Sequence, residues 1–290
     1  MPEVTTTAMQ LADFVDLEFA RRLEMAEMIL PDCVESIRRY APDEPNAAEN
    51  IASGIAFFGG VNYPANQIVG MGLHGAVSAD DMDRVEHFFR SRGVASTVVV
   101  SPLADESLRN LLGERGYRIA EFNSVLILRI SSPQPYTPPD GIVIERVTPE
   151  TVRPWMRAIA KGFSQDVEVP EEIFGGFAAL PGALAFLARI EDEVLGGCAG
   201  RVIPQARIAA LFGAATLPEY RCRGVQTALI ARRLQEAAQA GCEYAVVSTI
   251  PGSGSQRNME RRGFRLAYTK VVMRREWPEA SATKDNENGH

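Results

Sequence analysis

Histidine is scarce in this 290-residue chain: His74, His87 and His290 are all there are. A histidine-rich metal centre is thereby excluded. The four cysteines, Cys33, Cys198, Cys222 and Cys242, are scattered and lack paired metal-ligand spacing. They read as reduced thiols, and no metal is expected. Positive charge is short as well. Lys and Arg number 30 against 37 Asp and Glu, a formal net charge of -7. A nucleic-acid footprint needs the opposite balance, so no nucleic-acid partner is expected. No long apolar run is present, so no membrane partner is expected either. The opening MPEVTTTAMQLADF carries acidic residues and does not read as a secretion signal. A cytoplasmic protein is the expectation.

What is there is ordinary for a globular chain: 46% hydrophobic and 23% charged residues. The length suits two modest domains. The segment SSPQPYTPPD, residues 131–140, holds four prolines. Such a stretch sustains neither a helix nor a central strand, so it reads as a linker. Domains are thus expected over 1–130 and 141–277, followed by a polar, disordered tail over 278–290. In the second half the pattern predicts a strand at Ile142–Val147, then a helix capped by Thr148 with Pro149 in its first position. A second helix follows at Glu171–Leu180, then strands at Ala183–Ile190, Val194–Ile203 and Ile208–Leu217. A strong helix at Val225–Ala240, a strand at Tyr244–Ile250, a short helix at Ser255–Arg262 and a strand at Phe264–Arg274 complete it. The class is α+β, with a mixed, mostly antiparallel sheet.

The first half ends in the same order. It reads as a strand at Gln67–Leu73, a helix at Ala79–Arg92, a strand at Ala95–Val100, a helix at Asp105–Glu114 and a long strand at Tyr117–Ile130. SLRNLLGERGYRIAEF at Ser107–Phe122 parallels SQRNMERRGFRLAYT at Ser255–Thr269. Ser-x-Arg-Asn, then Arg, Gly, an aromatic residue, Arg, an aliphatic residue and Ala recur in both. An internal duplication is the expectation.

Chemistry concentrates in TLPEYRCRGVQTALIA, Thr216–Ala231. A strand ends near Leu217. A loop with Arg221, Arg223 and Gly224 then enters a helix at Val225, Gln226 and Thr227. First-turn N–H groups are unpaired and carry partial positive charge, which suits a phosphate. Gly224 permits close backbone approach, and the arginines add forked donors. Read without that chemistry, the segment is an ordinary strand–helix turn with solvated arginines.

The run Arg221-Cys222-Arg223-Gly224-Val225-Gln226 resembles the pyrophosphate loop of the GNAT N-acetyltransferases, Gln/Arg-x-x-Gly-x-Gly/Ala. Arg262-Gly263-Phe264 resembles the family's junction from a short helix into the last strands. The resemblance covers Ile142–Arg275. Gln226 departs from the usual small residue, so its side chain must point away from the pyrophosphate. The resemblance implies two GNAT-like domains, each a mixed, mostly antiparallel sheet flanked by helices. It implies a V-shaped opening between two parallel strands for the pantetheine arm. It also implies acetyl-CoA as co-substrate and direct attack by a primary amine, small-molecule or peptide, in a monomer or homodimer. An oxyanion donor is expected in the main chain at Thr216 and Leu217. Ser255 and Asn258 are expected to contact the cofactor, with capping by Ser255 as the other reading.

Acid and base are harder to place. The family's tyrosine in the short helix falls at Met259, and the strand has Gly213, Ala214 and Ala215 where a glutamate often serves. Tyr268 is the candidate acid. Glu219, Tyr220 and Cys222 lie beside the loop and read mainly as turn residues. Asp166, Glu168, Glu171 and Glu172 form an acidic run that would favour a cationic amine. The first half has no arginine after its strand; His74 lies in that loop, and Asp80 and Asp81 would repel a pyrophosphate. It reads as a degenerate copy. A non-catalytic acyl-CoA-binding or partner-binding protein is the alternative function.

Overall fold

The structure is a computed structural model that describes residues 15–28, 33–40, 42–43, 45–61, 63–130, 136–139, 141–163 and 171–277. Most of the expected linker, the expected tail, and Asp166 and Glu168 lie outside the described residues.

Before the linker run the helices α1 (Leu17–Met25), α2 (Val34–Arg38), α3 (Ala79–Arg90) and α4 (Glu106–Glu114). The strands there are β1 (Ala47–Ile51), β2 (Gly54–Phe58), β3 (Gln67–Val69), β4 (Ser96–Val100) and β5 (Arg118–Arg129). After it come β6 (Val143–Arg146), α5 (Val152–Phe163), α6 (Glu172–Ala179), β7 (Phe186–Ile190), β8 (Glu193–Ile203) and β9 (Ile208–Thr216). The chain continues through α7 (Val225–Gln239), β10 (Tyr244–Thr249), α8 (Gly254–Glu260) and β11 (Arg265–Arg275).

The eleven strands of the described residues form one sheet in the order β1-β2-β3-β4-β11-β5-β10-β9-β8-β7-β6. Neighbours are antiparallel except β3–β4 and β9–β10, which are parallel. The order is symmetric about the central pair β11–β5. Stepping outward, β4 matches β10, β3 matches β9, β2 matches β8 and β1 matches β7. The duplicated α4–β5 and α8–β11 segments therefore meet at the centre, each lending its strand to the other half's side of the sheet. Gly116 and Gly263 both take positive φ, +74° and +88°, as helix stops.

Alternation along the strands sorts the helices onto two faces. Leu126, Ala245 and Val247 pack with Val225 and Leu229 of α7 and Met259 of α8. Val125, Ile127 and Val246 turn the other way and pack with Phe19 and Leu23 of α1. Trp155 and Phe174 of α5 and α6 pack on Leu187 and Ala199, on the face of α1. The two halves are joined further by α2 on α6. A Cβ at Gly176 would lie 2.8 Å from the Ile37 Cα, so only glycine allows that approach.

Two expected boundaries shift. β3 ends at Val69, and residues 70–75 form a turn. α5 opens after Thr151, whose carbonyl accepts from Trp155 N–H at 3.1 Å and whose hydroxyl accepts from Thr148 N–H at 2.9 Å. Thr148 is not the cap, because a helix starting at Pro149 would put Pro154 in its interior. Starting at Val152 places Pro154 in the first turn, where no N–H is needed.

Candidate acyl-coenzyme site

β9 and β10 run parallel and pair only at Ile208–Tyr244, Ala209–Ala245 and Ala210–Val246. Beyond Ala210 and Val246 the two strands continue without pairing, β9 to Thr216 and β10 to Thr249. The sheet opens there as a V. The opening carries two unanswered polar groups. Among the described residues, Thr216 Oγ1 and Thr249 Oγ1 are buried without a hydrogen-bond partner. Such hydroxyls are costly unless a partner arrives.

A β-bulge sits on the same edge. The β8–β9 register passes from Ala199–Phe212 to Gly197–Ala215, leaving Gly213 and Ala214 opposite Cys198 alone. Gly213 takes φ +54°, as a bulge of this kind favours. Arg233 of α7, fully buried, donates through Nη1 to the carbonyls of Ala199 at 2.8 Å and Phe212 at 3.4 Å. It thus ties the helix to the bulge.

From Thr216 the chain passes through a short 3-10 helix, Pro218–Tyr220, into the arginine loop. Cys222 and Gly224 both take positive φ, +63° and +84°. Gly224 is the N-cap of α7, and among the described residues no side chain caps that end. The N–H groups of Val225, Gln226 and Thr227 therefore face out of the helix toward the loop. The Arg223 guanidinium lies 5.5 Å from the Tyr220 ring centroid, and the Tyr220 hydroxyl donates to Glu193. Glu219 is held below the usual carboxylate range by its own backbone N–H and then by Lys161, 3.2 Å away. It is a poor base.

α8 braces the first turn of α7. Asn258 Nδ2 donates to Gln226 Oε1 at 2.6 Å, and Arg262 Nη2 donates to Thr227 Oγ1 at 2.6 Å. The long Gln226 side chain is thereby drawn to α8. Ser255 is exposed and is not the cap of α8: Ser253 accepts from Gln256 N–H at 3.2 Å. Ser253 directly precedes α8, whereas Ser255 lies inside its first turn, because the helix starts one residue earlier than the sequence pattern suggests. Ser253→Ala should lower stability by about 1 kcal/mol. Ser255→Ala should leave it unchanged, as read from urea-unfolding midpoints.

Two expectations are corrected. The Leu217 N–H donates to Leu195 O at 2.9 Å, so it is committed to the strand edge and not open to an oxyanion. Tyr268 faces α1, the side of the sheet opposite α7 and α8. It is buried, and its hydroxyl donates to Glu24 Oε1 at 2.7 Å. Burial and then the Glu24 charge push its pKa far up, so it is not an acid for a thiolate. The sequence offered no sign of this, because Glu24 comes from the other half of the chain.

The first half builds the corresponding corner differently. β3 and β4 pair at Ile68–Val98, and α3 begins beyond them. Its N-terminus is closed by a capping box. Ser78 Oγ accepts from Asp81 N–H at 3.1 Å, and Asp81 Oδ2 accepts from Ser78 N–H at 3.0 Å. The Ser78 hydroxyl holds the Asp81 carboxyl below its usual range. A carboxylate fills the place an anion would take. His74 is exposed in the preceding turn.

Among the described residues no group of three or more His, Cys, Asp or Glu is placed to hold a metal. No described helix is long and apolar enough to cross a membrane.

Residues 150–264 match the model of the acetyltransferase (GNAT) family. The fold is shared with a GCN5-related N-acetyltransferase from Kribbella flavida, at TM-score 0.66 and 15% identity, covering 93% of this chain and 98% of that one. A GCN5-related N-acetyltransferase from Sphaerobacter thermophilus aligns at TM-score 0.57 and 18% identity, over 89% and 93% of the chains. A tandem GNAT protein from the clavulanic acid biosynthesis pathway aligns at TM-score 0.57 and 11% identity, over the same 89% and 93%. No curated protein matches the chain in sequence.

Proposed function

We propose that this chain is an acetyl-CoA-dependent N-acetyltransferase that acts on a primary amine by direct attack. Its second half, 141–277, holds the cofactor, and its first half, 1–130, is a degenerate copy that holds none. The observation that carries the reading is the uncapped start of α7, behind a two-arginine loop, at the mouth of the β9–β10 opening. A helix terminus there offers donors and partial positive charge to a pyrophosphate. Val225, Gln226 and Thr227 supply N–H groups, Arg221 and Arg223 supply charge, and Gly224 lets the anion approach. Thr216 and Thr249 offer their unpaired hydroxyls to the arm between the strands. Asn258 acts by holding Gln226 aside. When bound, acetyl-CoA supplies the activated thioester. The bulge at Gly213 and Ala214 is the candidate for a main-chain oxyanion donor, in place of Leu217.

The acceptor is a small-molecule or peptide amine. The test is release of free CoA with a panel of spermidine, lysine, an aminoglycoside and a tripeptide with a free amino terminus. Binding of acetyl-CoA without release with any amine would favour a non-catalytic acyl-CoA-binding protein.

The two helix termini also differ in a countable way. Calorimetry is expected to give one acetyl-CoA per chain, because Asp81 occupies the start of α3. A stoichiometry of two would remove the assignment of the first half.

A further inference from the structure

The strand beside the opening has no acid: β9 reads Ile208-Ala-Ala-Leu-Phe-Gly-Ala-Ala-Thr216. A carboxylate nevertheless reaches the opening from the first half. Glu27 follows α1, and its carboxylate accepts from Ser248 Oγ. Ser248 lies on β10 two residues beyond Val246, the last residue paired to β9, so it stands at the lip of the V. By strand alternation it faces α1, as Val246 does. Phe212 of β9 packs on that same face. Glu27 therefore lies across the opening from α7.

Its surroundings hold it in place. Lys270 of β11 is buried and donates to Glu27 and, at 3.4 Å, to Glu24. Burial opposes the Lys270 charge, but Glu24 and Glu27 outweigh it and raise its pKa. Glu24 is sealed, and burial raises its pKa despite Lys270. Tyr268 donates to Glu24. Of the two carboxylates Glu27 is the accessible one, with 22% of its side chain exposed against 2% for Glu24. Ser248 beside it is exposed.

We infer that Glu27 is the proton acceptor for the amine, contributed to the second half's reaction by the first half. This rests on the acetyltransferase reading above. The ammonium gives one proton to the Glu27 carboxylate, which passes it to solvent. The freed nitrogen lone pair attacks the thioester carbonyl. The C–N bond forms, the C–S bond breaks, and the thiolate leaves with the second nitrogen proton. Lys270 and Ser248 are positioning residues that hold the carboxylate at the lip.

The test is Glu27→Gln, nearly isosteric at a half-buried position, with Glu27→Asp beside it. For wild type, kcat/KM with whichever amine of the panel is turned over should fall on the acid side. Glu27→Gln should lose about 100- to 10,000-fold at neutral pH. Its residual rate should climb with pH up to the amine's own pKa, because only the free base then reacts. Glu27→Asp should recover part of the loss. Acetyl-CoA affinity, read by calorimetry, should stay unchanged in both variants. A loss of only a few-fold, or a lowered melting temperature with an unaltered pH profile, would overturn the role. A wild type that binds acetyl-CoA but acetylates none of the panel would strike the acetyltransferase reading, and this role with it. Loss of acetyl-CoA binding in wild type would instead strike the function itself.

Discussion

Residues 141–290, produced without the first half, are expected not to fold as a monomer. β10 and β11 are parallel, joined through α8, with β5 of the first half standing between them. Neighbouring strands lie about 4.8 Å apart, so the crossover leaves a place one strand wide. Without β5, both flanking strands expose unpaired backbone groups there. β11 also loses β4 on its other side. The first half has the same defect, since β4 and β5 are parallel with β11 between them. Each fragment should be unfolded, aggregated, or dimeric through a second copy filling the gap. Co-expression of 1–140 with 141–290 should restore one complex that binds acetyl-CoA. Light scattering after gel filtration and thermal melts read the outcome. A monomeric 141–290 that melts like the full chain would contradict the exchange of strands.

This exchange is what the sequence conceals. The repeat Ser107–Phe122 and Ser255–Thr269 marks two similar helix–strand units, and both lie where it places them. Which strand each unit pairs with depends on register between residues more than a hundred positions apart, and no local pattern encodes that. The loop was legible for the opposite reason. A helix start is a local device, so Arg221, Arg223 and Gly224 before an uncapped α7 announce themselves. So does the Asp81 cap on α3. Tyr268 was misplaced because strand alternation gives two faces without naming what covers each. Glu24, which decides its role, sits on α1, whose short apolar stripe gives little signal, and Glu27 lies on the turn that follows. α2, β1 and β2 likewise lack strong periodicity. β2, Gly54–Phe58, is buried throughout, and β1 reads Ala-Ala-Glu-Asn-Ile.

The second large effect concerns the loop. Gly224→Trp should abolish cofactor binding by two routes. A side chain at φ +84° is strained, and its Cβ would lie 2.8 Å from the Pro139 Cγ. It would also fill the space before the α7 N–H groups. Because that variant disturbs backbone, the charge reversal Arg221→Glu with Arg223→Glu is the cleaner companion. It leaves Gly224 and the helix start intact. A hydrogen bond to a charged group contributes about 1.5–3 kcal/mol. Losing two and adding repulsion should weaken binding by at least about 100-fold.

That double variant also decides the account. Acetyl-CoA is titrated calorimetrically into the wild-type chain and into the Arg221→Glu, Arg223→Glu chain, with matched melting curves. The expected result is saturable binding to wild type at one per chain, and affinity reduced by at least about 100-fold in the folded variant. Equal affinity in the two proteins, or no binding to wild type, would contradict the placement of acetyl-CoA at the start of α7.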